Sequence, residues 1–167
     1  MRIRDIMNRP AVSCRPTDTL SIAAQAMWEH DCGAIPVTSD DGKLVGIITD
    51  RDICMATFTK GKAPQTISVG EVMAKRVTSC HADESADVAE GMMRDKQIRR
   101  IPIVEVDNRL VGMISQSDLA RNAASSPRRN AVEKGFIQTM AAISQPRSRA
   151  IEMASTASQH LRTADSP

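Results

Sequence analysis

Two hydroxyl–carboxylate pairs carry the chemistry this chain offers: Thr49-x-x-Asp52 and Ser115-x-x-Asp118. Each follows an apolar run holding one glycine, Leu44-Val45-Gly46-Ile47-Ile48 and Leu110-Val111-Gly112-Met113-Ile114. The pattern reads as a strand running into a helix start. A hydroxyl at the N-cap with a carboxylate three residues on is a capping box, here with Asp in the place of Glu, and capping alone accounts for it. The same position has a second use. Free N–H groups and the positive end of the helix dipole suit phosphate, and a carboxylate beside them can accept both hydroxyls of a ribose. One element can therefore cap its helix and grip phosphate and sugar together.

Other reactive side chains form no comparable arrangement. Cys14, Cys32, Cys54 and Cys80 make no CxxC pair, and the histidines are His30, His81 and His160. A zinc site needs about four converging ligands, so no metal is expected. Buried packing is the better reading for the cysteines. Ser39-Asp40-Asp41 is a turn rather than part of a triad, and no phosphate-binding or dinucleotide-type glycine loop occurs. The expectation is a protein that is not an enzyme and has no resident cofactor.

Composition narrows the class further. The chain has 167 residues, 22 basic and 20 acidic, for a net charge of +2. That balance makes no case for nucleic acid or for a membrane surface. A DNA-binding regulator would have to rest on the tail after residue 123, and no helix-turn-helix pattern supports it. No apolar run has the length of a membrane span. The N-terminus lacks the apolar core of a signal peptide, and four cysteines do not make a disulfide scaffold. A reducing cytoplasm is expected. Aromatic residues are 2% of the chain, so the core must come from Ile, Val, Leu, Ala and ten Met.

The elements that position the two pairs are themselves duplicated. An offset of 66 residues matches Thr49 to Ser115 and Asp52 to Asp118. It also matches Met7 to Met73, Cys14 to Cys80, Met27 to Met93 and Ile35-Pro36 to Ile101-Pro102. A fixed-offset repeat signals duplicated architecture. Within each copy the order is a helical lead-in, an extended segment (Ala11–Cys14, Val77–Cys80), a helix, two strands and a second helix. The first long helix carries an apolar stripe, Leu20, Ala23, Ala24, Met27 and Trp28. Asp18 or Thr17 is its expected cap and Gly33 its expected exit. The counterpart spans about Glu84 to Asp95, with Val88, Met92 and Met93 inward. Pro36 removes a ladder donor and puts its strand at an edge or an irregular end. Gly46 weakens its strand unless something approaches closely there.

The expected fold is α/β (α+β): two tandem β-α-β-β-α repeats packed sheet to sheet with pseudo-two-fold symmetry. Each three-stranded sheet covered by two helices has one bare face, and two copies bury those faces together. The boundaries are repeat one at 1–60, a linker at 61–68, repeat two at 69–123 and a C-terminal extension at 124–167. In the extension one helix is expected over 131–143, followed by a tail of low order.

The duplicated motifs resemble a pair of CBS domains, the regulatory unit called a Bateman module. The resemblance rests on the lead-ins Asp5-Ile6-Met7 and Glu71-Val72-Met73, the Ile-Pro steps, the Leu-Val-Gly strands and the Thr/Ser-x-x-Asp helix starts. It covers residues 3 to 123. It implies two clefts between the repeats that take adenosine nucleotides: AMP, ADP, ATP or related adenosyl compounds. Asp52 and Asp118 would hold ribose, and Thr49 and Ser115 ribose or phosphate. Arg99 and Arg100, just before Ile101-Pro102, would reach phosphates. Ser13-Cys14 and Ser79-Cys80 would lie by the base, flanked by Ile35-Pro36 and Ile101-Pro102. Repeat one has Gly33-Ala34 where repeat two has Arg99-Arg100, so the Asp118 cleft is expected to be the better phosphate binder. The resemblance also implies a homodimer through the helices, with Trp28 either in the core or at the partner surface, and an unidentified downstream protein. The alternative is a ligand-free scaffold that acts by dimerisation or protein interaction.

Overall fold

The computed structural model describes residues 1–125 and 129–145. Repeat one contains α1 (Leu20–Glu29), β1 (Ala34–Thr38), β2 (Leu44–Thr49) and α2 (Asp50–Lys60). Repeat two contains β3 (Cys80–His81), α3 (Ala86–Lys96), β4 (Arg100–Val104), β5 (Leu110–Ser115) and α4 (Gln116–Ser125), and α5 (Arg129–Ile143) follows. Each lead-in is a short 3-10 turn, Ile3–Asp5 and Val69–Glu71.

Local chemistry sets the helix ends. Thr19 caps α1 by accepting from the Ile22 amide, one residue later than expected. The left-handed residue after α1 is Asp31, with φ of 46°, rather than Gly33. Gly61, φ 59°, terminates α2 in the left-handed conformation. Leu20, Ala23 and Met27 are buried on α1, and Ala86, Ala89 and Met93 on α3. Val88, expected inward, is exposed. Its repeat-one counterpart, Ile22, is exposed as well.

The hairpins of the two repeats share one register. Ile35 pairs with Ile48 across β1–β2, and Ile101 with Ile114 across β4–β5. Both carry an irregularity at the same step, after Val37 and after Ile103. The first strands are shorter than expected. In repeat one only Cys14 bridges to Val37, and in repeat two only Cys80 and His81 pair with β4. The prolines explain this. The Cys14 amide donates to the Pro36 carbonyl and the Thr38 amide donates to the Cys14 carbonyl. The next donor back along β1 would be Pro36, which has no N–H, so pairing stops there. Pro102 does the same in β4.

The repeats clasp each other reciprocally. Asn8, in the lead-in of repeat one, bridges Met113 on β5; Ala74, in the lead-in of repeat two, bridges Ile47 on β2. Arg2 bridges Ser85 and Thr19 bridges Ser68. Each pair maps onto the other by the 66-residue offset with the partners exchanged, and the Lys43–Arg109 bridge maps onto itself. That exchange is what a pseudo-two-fold axis produces. The strand glycines serve the clasp. A Cβ on Gly46 would lie 2.5 Å from the Met73 sulfur, and one on Gly112 would lie 2.7 Å from the Met7 sulfur.

Each repeat has its own apolar core. One is built on Leu20, Ile35, Val37, Ile48 and Ile67, the other on Ile3, Met93, Ile101, Ile103 and Ile114. Ile3 and, in the first core, Val69 belong to the lead-ins, so each core is completed by the segment entering the other repeat. α5 lies on α3 and α4. The Thr139 hydroxyl donates to Glu90 Oε1 at 2.9 Å, Gln97 Nε2 donates to the Ala142 carbonyl at 3.2 Å, and Ile143 is buried. The low-order tail expected after residue 143 lies almost wholly outside the described residues. Trp28 is 89% exposed, which removes the core alternative for it. Among the described residues no helix is long and apolar enough to cross a membrane.

Candidate functional site

Both hydroxyl–carboxylate pairs form capping boxes. At α2 the Thr49 amide and hydroxyl donate to Asp52 Oδ2 at 2.9 and 2.7 Å, and the Asp52 amide returns to the Thr49 hydroxyl at 3.1 Å. At α4 the Ser115 amide and hydroxyl donate to Asp118 Oδ2 at 2.7 and 2.6 Å, and the Asp118 amide donates to the Ser115 hydroxyl at 3.3 Å. Because the lead-ins cross over, each helix start faces a segment of the other repeat. β2, which runs into Thr49 and Asp52, is bridged at Ile47 by Ala74, and β5, which runs into Ser115 and Asp118, is bridged at Met113 by Asn8. Each candidate cleft is therefore shared between repeats.

The two carboxylates differ in what else they hold. Asn8 Nδ2 donates to both oxygens of Asp118, at 2.9 and 3.0 Å, and Arg121 pairs with Oδ1. Asp118 is 3% exposed. Asp52 is half-buried, and its Oδ1 accepts from no described residue. By the 66-residue offset the counterparts of Asn8 and Arg121 are Ala74, in repeat two, and Met55, in repeat one, neither of which has a side chain that can donate.

The remaining expected site residues fall into distinct places. Ile35, Pro36, Ile101 and Pro102 are buried in the strands. Cys14 and Cys80 are core residues rather than pocket linings. Burial pushes their thiols up, to about 12 for Cys14 and about 11 for Cys80, with Asp18 and Glu84 adding to the effect. Ser13 accepts a long hydrogen bond, 3.5 Å, from the Thr38 hydroxyl. Ser79 is half-buried just ahead of β3.

Arg99 is exposed, and its carbonyl accepts from the Gln116 amide. Arg100 turns toward repeat one: its Nη2 lies 3.6 Å from where a Cβ on Gly33 would stand, and Asp50 Oδ2 lies 2.7 Å from the same point. Gly33 is needed here for close approach, not as a helix exit. Arg100 lines a cavity of about 550 Å³ with Trp28, Asp31, Cys32, Asp50 and Cys54. A second cavity, about 990 Å³, is bounded by Arg4, Arg9, His81, Asp83, Glu105 and Val111. Neither is lined by Thr49, Asp52, Ser115 or Asp118.

Sequence reasoning missed Asn8. Its one signal was a mismatch in the repeat, Asn8 against Ala74, adjacent to the matched Met7 and Met73.

Comparison with known proteins bears on the fold and on the site. A family model described as CBS domain matches residues 3–58 and 69–125. Hypoxic response protein 1 of Mycobacterium tuberculosis is 35% identical over 143 residues, 86% of this chain and 94% of the relative. A crystal structure of Hypoxic Response Protein I with two coordinated zinc ions aligns with a TM-score of 0.67 and 37% identity, covering 72% of this chain and 98% of that one. The CBS domain-containing protein YhcV of Bacillus subtilis is 40% identical over 124 residues, 74% of this chain and 86% of the relative. The CBS domain pair of protein MJ0100, crystallised with 5'-methylthioadenosine and S-adenosyl-L-methionine, aligns with a TM-score of 0.66 and 29% identity. It covers 72% of this chain and 94% of that one. Zinc does not fit the described part of this chain: no three His, Cys, Asp or Glu side chains converge there, and two of the four thiols lie in apolar cores.

Proposed function

This chain belongs to the CBS-domain family as a tandem pair, and from that premise we propose that it is a regulatory module that binds an adenosine nucleotide between its repeats. The ligand is AMP, ADP, ATP or a related adenosyl compound, and the module itself catalyses nothing. The observation that carries the reading is the crossed construction of the clefts. Each places a capping-box carboxylate and a helix N-terminus on one repeat against the lead-in of the other. A ligand that bridges them reports on the angle between repeats. The candidates for ribose and the first phosphate are Thr49 with Asp52 and Ser115 with Asp118, those for the outer phosphates are Arg99 and Arg100, and those for the border of the base are Ser13 and Ser79; the two clefts are compared below. The MJ0100 pair, which was crystallised with two adenosyl ligands, supports the chemical class.

Binding changes output only through differential affinity for two arrangements of the module. The output passes to another chain. Two copies associate through α1 and α2, where Trp28 and Phe58 are 89% and 80% exposed. The four cysteines are free, in keeping with a reducing cytoplasm.

The test is thermal unfolding of nucleotide-free protein with AMP, ADP, ATP and S-adenosyl-L-methionine. A ligand at one hundred times its Kd adds about 2.7 kcal/mol of stability, a rise of about 5–10 °C for a chain of this size. An unmoved transition with all four at millimolar concentration refutes the reading. The second reading, a ligand-free scaffold, draws on the saturated state of Asp118. It predicts that unmoved transition together with an intact dimer.

A further inference from the structure

The two clefts differ in the one property a ribose needs. An ionised carboxylate has about four lone-pair positions. A cis-diol donating both hydroxyls requires two of them. Asp52 uses two, both on Oδ2, for Thr49, and its Oδ1 accepts from no described residue. Asp118 receives the Ser115 amide and hydroxyl and the Asn8 amide on Oδ2, and Asn8 and Arg121 on Oδ1. Its side chain is 1% exposed. No acceptor position remains, so a diol must displace Asn8 and Arg121 to reach the carboxylate.

Asn8 is held in that place by backbone as well as side chain. Its amide donates to the Met113 carbonyl at 2.9 Å and its carbonyl accepts from the Met113 amide at 3.0 Å. Ala74 makes the same two backbone bonds to Ile47, at 2.9 and 3.0 Å, and presents only a methyl group. The clefts thus differ in two side chains on matching backbone, Asn8 against Ala74 and the exposed Arg121 against Met55, and of these only Asn8 is bridged to the facing strand. Lys75 and Arg76 follow Ala74, are exposed, and form no ion pair with any described residue. Phosphate leaving the Asp52 cleft on that side meets unneutralised cations.

We infer that this chain binds one adenosine nucleotide rather than two, in the cleft floored by Thr49 and Asp52, and that Asn8 is a built-in plug that keeps the Asp118 cleft closed. The inference rests on the nucleotide-binding reading above and reverses the ranking of clefts that Arg99 and Arg100 suggested. In this arrangement Asp118 joins the repeats instead of binding ligand. The empty half of the duplicated module becomes the fixed frame against which the Asp52 half responds.

The test is isothermal titration of full-length, nucleotide-free protein with AMP and with ATP. The wild type is expected to take one ligand per chain. Asp52→Ala should weaken binding at least about tenfold, equivalent to roughly 1.4 kcal/mol. Asp52→Asn, which keeps an acceptor for the cap, is the control for folding and should also lose affinity. Asn8→Ala, in which a diol has only the 68% exposed Arg121 to displace from Oδ1, should leave the first affinity within about twofold and add a second binding event, raising the stoichiometry from one to two. Two equal sites in the wild type would overturn the inference while leaving the nucleotide reading intact. So would affinity that survives in Asp52→Ala and Asp52→Asn but disappears in Asp118→Asn. An Asn8→Ala protein that gains no second event removes the plug. Absence of binding to the wild type removes the nucleotide reading and this inference with it.

Discussion

Replacing each of the paired carboxylates by alanine should destabilise the fold unequally, and the inequality can be worked from the contacts. Asp52→Ala removes a capping box and nothing else, a loss of about 1 kcal/mol. Asp118→Ala removes the same cap and the two hydrogen bonds from Asn8. Hydrogen bonds to a charged group contribute about 1.5–3 kcal/mol. The Arg121 pair adds little, about 0–1 kcal/mol, because the guanidinium side chain is 68% exposed. Desolvation of the buried Asp118 carboxylate works against these gains and draws the total toward the lower end. The expected loss is about 3 kcal/mol for Asp118→Ala against about 1 for Asp52→Ala, a difference of about 2 kcal/mol. In melting temperature that difference is about 4–8 °C. Urea unfolding followed by far-UV circular dichroism measures it, with an unchanged m-value as the condition for comparing midpoints. A double-mutant cycle locates the cause. Asn8→Ala and Asp118→Ala should couple by about 1.5 kcal/mol, whereas Asn8→Ala and Asp52→Ala should add. Equal losses at the two aspartates, or a coupling near zero between Asn8 and Asp118, would refute the claim that Asn8 holds Asp118.

Gly112→Val should destabilise by about 1–3 kcal/mol by urea titration, because a Cβ there meets the Met7 sulfur at 2.7 Å and the Asn8 carbonyl at 3.0 Å. Gly46→Ala should cost less, since the nearest atom is the movable Met73 sulfur and the facing carbonyl stands at 3.3 Å. Trp28→Arg should convert the proposed homodimer to monomer by light scattering while changing stability by less than about 0.5 kcal/mol, as its side chain is almost fully exposed. An aromatic disulfide at pH 8 should label exposed Cys54 quickly and leave Cys14 and Cys80 unreacted in the folded protein, because burial shields their thiols and pushes them up to about 12 and about 11. The same burial fixes a sign for stability. Above pH 9 the unfolded thiols ionise first, so the folded state binds more protons and its stability falls as pH rises from about 9 through 11 and 12.

Much of this protein is written locally in its chain. A 66-residue offset, strands ending in hydroxyl–carboxylate pairs and apolar stripes are short-range patterns. Their consequences, helix starts at Thr49 and Ser115 and matched hairpins with Ile35 on Ile48 and Ile101 on Ile114, are short-range too. The shortness of the first strands was not expected, although its cause is local, since Pro36 and Pro102 carry no donor whatever surrounds them. Gly46 and Gly112 advertised a close approach without naming what approaches. Arg100 shows the limit of such reading: its place before Ile101-Pro102 suggested the Asp118 side, but a long side chain takes the direction its surroundings leave open, and here that is toward Gly33 and Asp50.

The inequality of the two clefts belongs to the tertiary structure alone. Asn8 and Asp118 are 110 residues apart in sequence, and nothing in either neighbourhood marks them as partners. They meet because each lead-in crosses to the other repeat, a choice made by packing Met7 over Gly112 and Ile3 into the far core. Duplication made two equivalent scaffolds, and Asn8, brought across by that crossing, joins Arg121 in occupying the lone pairs that Asp52 keeps open.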